Sequence, residues 1–132
     1  MEQRLSAENE ALWEPAFDVA RRYRAFESYG SERKACQALR RRCPGFGPDE
    51  YSEMFRQAVY LYDQALDVVE THKGPLLAYY GNPANWKNTV LPEELQLLWQ
   101  DLYGCLSERC PGLPLSVCRQ AANWVFYWHH WR

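Results

Sequence analysis

From Tyr51 to Val69 apolar residues recur every three or four positions (Tyr51, Phe55, Ala58, Tyr62, Ala65, Val69), and neither glycine nor proline interrupts them. A helix of 3.6 residues per turn places all six on one face. Met54, Leu61 and Val68 widen that face, so the spacing predicts a central helix over 48–72. Pro48 suits its first turn, and Asp49 and Glu50 follow where the helix dipole favours anions. Nowhere does the chain alternate with a period of two, so strands are not expected. The fold class predicted is all-α, one compact domain of five helices within 132 residues.

Stop signals place the other four helices. A first helix is predicted over 6–29, capped by Ser6, striped by Leu12, Ala16, Val19, Tyr23 and Phe26, and ended by Gly30. A short, arginine-rich helix follows over 31–42 and stops at Cys43-Pro44-Gly45. Residues 73–91 hold two prolines, two glycines and three asparagines and read as a long connection. The fourth helix spans 92–109 with Leu95, Leu98 and Leu102 inward, and the fifth spans 114–131 through Val117, Ala121, Trp124, Trp128 and Trp131.

A cassette occurs twice. Leu39-Arg40-Arg41-Arg42-Cys43-Pro44-Gly45-Phe46 is matched by Leu106-Ser107-Glu108-Arg109-Cys110-Pro111-Gly112-Leu113, and Arg-Gln-Ala follows in each next helix, at 56–58 and 119–121. The repetition suggests two related helical hairpins packed with pseudo-twofold symmetry. The run Leu-x-x-x-φ-Pro ahead of a helix also resembles the opening of ubiquitin-binding CUE domains, with Cys43 or Cys110 as the hydrophobe. Such domains continue with two short helices where this chain reads as one long helix, so the resemblance assigns no residue a role.

The five cysteines (Cys36, Cys43, Cys105, Cys110, Cys118) are odd in number, and MEQRLSAENE is too polar for a secretion signal. Reduced thiols and a cytoplasmic setting are therefore expected. No apolar run approaches the ~18–20 residues of a membrane span. No metal or cofactor is expected either. Cys105-x₄-Cys110 and Cys36-x₆-Cys43 are longer than usual zinc spacings, and His129 and His130 point about 100° apart on a helix. Asp63, Asp67 and Glu70 share a face without the histidine a carboxylate metal site requires, and read as a solvated acidic face. No phosphate loop or nucleophile elbow is present, so no catalytic residues are assigned and the chain is not expected to be an enzyme.

Two features point towards a partner. The net charge of −2 conceals segregation, because residues 21–42 carry eight basic groups against two acidic ones. Arg21, Arg24, Arg33, Arg40, Arg41 and Arg42 form the predicted patch. The final helix is aromatic on nearly every side, more than one core face can absorb. Trp124, Phe126, Tyr127 and Trp131, joined by Tyr79 and Tyr80, are the predicted anchor surface. The function expected is non-catalytic protein–protein interaction, as an adaptor, assembly component or inhibitor. Its partner would be an acidic or apolar protein or a second copy of the chain. The alternative is nucleic-acid binding through residues 21–42.

Overall fold

The computed structural model describes residues 10–131, with side chains over 13–130. Five α-helices appear among the described residues and no strand: α1 (Glu10–Ala25), α2 (Glu32–Arg42), α3 (Pro48–Tyr80), α4 (Glu93–Arg109) and α5 (Leu115–Phe126). A 3₁₀ turn, Pro83–Asn85, lies between α3 and α4, and a π-helical turn, Tyr127–Trp131, follows α5. The all-α fold in one packed domain is as expected. The predicted cap at Ser6 and the inward stripe position Leu12 lie outside the described residues or side chains.

Helix α3 packs against each of the other four helices. Its predicted stripe is the core: Tyr51, Phe55, Ala58, Tyr62, Ala65 and Val69 are all buried, together with Met54, Leu61 and Val68. Trp13, Ala16, Val19 and Ala20 of α1 close one side, and Val117, Ala121, Ala122 and Val125 of α5 close another.

The principal correction concerns residues 73–91. These are not one connection, because α3 continues through Gly74 and Pro75 to Tyr80 and reaches 33 residues. A proline inside a helix removes one hydrogen bond and costs about 3 kcal/mol. Tertiary burial offsets that cost. Leu76 lies seven residues beyond Val69 on the same face and is 0% exposed, with Leu77, Tyr79 and Tyr80 packed half-buried beside it. Thr71, whose carbonyl loses its helical donor to Pro75, is an exposed residue. The connection proper is stitched by side chains: Asn82 caps the 3₁₀ turn, Asn85 Nδ2 donates to the Tyr79 carbonyl at 2.9 Å, and Trp86 Nε1 donates to the Tyr80 carbonyl at 2.8 Å.

Two helix ends also differ from expectation. The first helix stops at Ala25 rather than 29, because Glu27 turns left-handed (φ 54°) and the N–H groups of Phe26 and Ser28 both fold back on the Arg22 carbonyl. The last helix widens into the π turn at Tyr127. That turn carries His129 and His130 to separate partners on α3: His129 Nε2 lies 2.6 Å from the Tyr62 hydroxyl, and His130 Nε2 lies 3.5 Å from Glu70.

The two cassettes share their local geometry. Cys43 (φ −140°, ψ 80°) and Cys110 (φ −124°, ψ 63°) end α2 and α4 in the same conformation. Each donates its N–H to the fully buried leucine four residues back, Leu39 or Leu106. Gly45 (φ 113°) and Gly112 (φ 91°) then turn the chain where a side chain would be strained.

Candidate functional site

The predicted arginine patch divides into two groups. Asp18 on α1 gathers three guanidiniums, from Arg21, Arg22 and Arg42, and is itself 14% exposed. Burial pushes its carboxyl pKa up, but Arg42, Arg21 and Arg22 together outweigh this and hold it below the usual aspartate value. Arg24 reaches Asp63 on α3 with two bonds, at 3.2 and 2.8 Å. The acidic face of α3 is therefore partly neutralised within the fold, Asp67 pairing with Arg109 and Glu70 with Lys73. Arg24 and Arg42 are ion-paired ties between helices, and Arg21, paired with Asp18 within α1, lies over Trp124 of α5, so none of the three is a free contact.

Arg33, Arg40 and Arg41 are different. All three are exposed on α2 and make no ion pair among the described residues. The helix that carries them is firmly placed. Ser31 caps it by accepting from Lys34 N–H, Ala35 and Leu39 are buried beneath it, and Arg42 ties its end to α1. The Tyr51 hydroxyl donates to the Cys43 carbonyl at 2.7 Å and accepts from Phe46 N–H at 3.2 Å, locking the first cassette onto α3.

Between α2 and the start of α3 lies a groove of about 460 Å³. Cys36, Phe46, Pro48 and Tyr51 supply apolar lining, Gln37 and Ser52 supply polar groups, and Arg33, Arg40 and Arg56 set three guanidiniums against the one carboxylate of Glu32. Glu32 Oε1 accepts from Arg56 Nε at 3.0 Å, leaving Arg33 and Arg40 uncompensated on the groove wall. This groove is not among the features expected from the sequence. Its signal was the spacing of Arg33, Cys36, Gln37 and Arg40, which share one helix face, followed by Phe46.

The predicted aromatic anchor is largely absorbed by the core. Phe126 is corrected outright: it is 5% exposed, with Trp99 and Tyr80 each 5.7 Å away. Trp124 is half-buried, stacked on Trp128 at 5.5 Å and covered by Arg21 at 4.9 Å. Tyr79 and Tyr80 are half-buried, and the Tyr79 hydroxyl accepts from Asn88. Tyr127 is 56% exposed, the only largely exposed member among those described. The side chain of Trp131 lies outside the described residues. Helices α1, α3 and α4 fill the space around α5, which is why a helix aromatic on all sides does not present an aromatic face.

No group of three or more His, Cys, Asp or Glu side chains converges for a metal ion among the described residues. No described helix is long and apolar enough to cross a membrane. Burial pushes the Cys110 thiol up to about 12, with Cys118 adding to the effect, and pushes Cys118 up to about 11. Cys43 is raised by burial against the opposing charge of Arg42. At neutral pH these groups are thiols, not thiolates. Cys110 and Cys118 are therefore expected to alkylate at least roughly a hundredfold more slowly than free cysteine in the native protein, and Cys43 more slowly than free cysteine. Peptide mapping after brief iodoacetamide treatment checks this, and Cys118 reacting at the free-thiol rate would refute it.

No family model, curated protein or solved structure matches the chain.

Proposed function

We propose that this protein is a non-catalytic protein–protein interaction domain, and that the α2–α3 groove receives an acidic partner segment bearing an apolar side chain. One observation carries the reading: Arg33, Arg40 and Arg41 stand unpaired on the helix that walls an apolar-lined groove, while Arg21, Arg22, Arg24, Arg42, Arg56 and Arg109 are all engaged. Like charges on one short helix repel one another, and a carboxylate-bearing segment relieves that repulsion while forming charge-assisted hydrogen bonds. Cys36, Phe46 and Tyr51 give its apolar side chain a place out of water. A phosphate backbone fits less well, since Glu32 lines the groove and Asp49 and Glu53 begin the adjoining helix.

The test is fluorescence anisotropy with a fluorescein-labelled acidic peptide carrying one central leucine. Binding is expected to weaken as salt rises, and Arg33→Glu with Arg40→Glu should lower affinity roughly thirtyfold. Both residues are exposed, so the double variant is expected to fold. Unchanged affinity in that variant, no binding at low salt, or tighter binding of an oligonucleotide of equal charge would each overturn the reading.

A further inference from the structure

Two depressions flank the exposed face of the first half of α3, and Arg56 lines both. The first is the α2–α3 groove. The second, of about 680 Å³, lies between Glu53, Gln57 and Tyr60 of α3 and the second cassette. Each is bounded by the hydrophobe that follows Cys-Pro-Gly: Phe46 in the first, Leu113 in the second. The repeated cassette therefore presents an apolar side chain at either edge of one helix face.

We infer that the partner segment is an extended chain running along the exposed face of α3, with one apolar side chain in each depression and a carboxylate between them on Arg56. This inference rests on the reading above and adds the pattern of the ligand. Ser52 lines the first depression and Tyr60 the second. They stand eight positions apart in the helix, a rise of about 12 Å. An extended chain advances about 3.3 Å per residue and covers that span in about four residues. Its side chains alternate, so positions i, i+2 and i+4 point the same way. Arg56 is midway between Ser52 and Tyr60 in the helix, opposite position i+2. The pattern is apolar-x-acidic-x-apolar. In the free protein Glu32 occupies Arg56, and the ligand carboxylate takes its place.

Three aspartate-flanked, fluorescein-labelled peptides test this: Leu-Ser-Glu-Ser-Leu, Leu-Ser-Glu-Leu-Ser and Leu-Ser-Glu-Ser-Ser. The first is expected to bind roughly tenfold more tightly than the other two, the second leucine contributing only at the matching spacing. Tyr60→Ser, at a side chain 50% exposed and so not needed for folding, should remove that advantage and leave the single-leucine peptide unchanged. Equal affinities for all three, with Arg33→Glu and Arg40→Glu still weakening each, would overturn the two-depression inference and leave the single groove standing. Binding by none of the three would bring down both.

Discussion

Truncating Leu76 to alanine is expected to lower stability by about 3 kcal/mol, which for a chain of this length shifts the melting temperature by roughly 10 °C. Leu76 is fully buried, so the substitution removes its transfer free energy and leaves a cavity. It is also the buried residue that carries α3 past Pro75. Without it the turns at 77–80 lose their hold, and with them the carbonyls of Tyr79 and Tyr80 to which Asn85 and Trp86 donate. Amide exchange should accordingly rise across 76–90 more than elsewhere. Pro75→Ala provides the opposite sign. In a helix the proline costs a hydrogen bond, so its replacement is expected to stabilise by about 1 kcal/mol or more. Were 73–80 an irregular connection, the same change would be neutral or destabilising, because proline restricts the unfolded chain. Chemical denaturation of the two variants separates the alternatives. Destabilisation by Pro75→Ala would contradict the continuous α3.

Asp18→Asn should cost about 2 kcal/mol at neutral pH, more than an exposed ion pair is worth and less than a fully buried one. The variant leaves Arg21, Arg22 and Arg42 converging on a neutral amide, and their mutual repulsion then loosens the end of α2 from α1. The pH dependence has a definite sign. The folded-state pKa of Asp18 is depressed, so its contribution is complete above the unfolded aspartate pKa of about 3.9 and is lost as pH falls through the lower, folded value. The stability gap between wild type and Asp18→Asn is therefore expected to be constant from pH 7 to about 5 and to close in stronger acid. Denaturation midpoints measured from pH 7 to 3 provide the check. A gap that persists unchanged at pH 3 would mean that shape or hydrogen bonding, not charge, explains the effect. Because Arg42 ends the helix that bears Arg33, Arg40 and Arg41, the same variant should also weaken binding of acidic peptides at the groove.

The helical class, the central role of α3 and most of its buried face follow from local rules. Tyr51, Phe55, Ala58, Tyr62, Ala65 and Val69 recur at the helical period, and Cys-Pro-Gly ends α2 and α4 because glycine alone turns left-handed there without strain. These are properties of neighbours along the chain, so they are legible without a fold. Gly74-Pro75 shows where such rules fail. Both residues disfavour a helix locally, and only the burial of Leu76, which depends on distant residues packed around it, outweighs them.

The candidate site divides in the same way. The excess of arginine between 21 and 42 is visible in the sequence, but which arginines are free is not. Asp18 lies on the same side of α1 as Arg21 and Arg22, and only the docking of α2 brings Arg42 to it; Asp63 lies 39 residues from Arg24. Likewise Phe126 and Tyr127 are adjacent aromatics, one in the core and one in water, because Tyr80 and Trp99 cover the first and leave the second. Residue type and spacing decide what each helix can bury and where it stops. Pairing of charges and coverage of faces are decided by contacts between residues far apart in the chain, which come into being only when α1, α2, α4 and α5 close around α3.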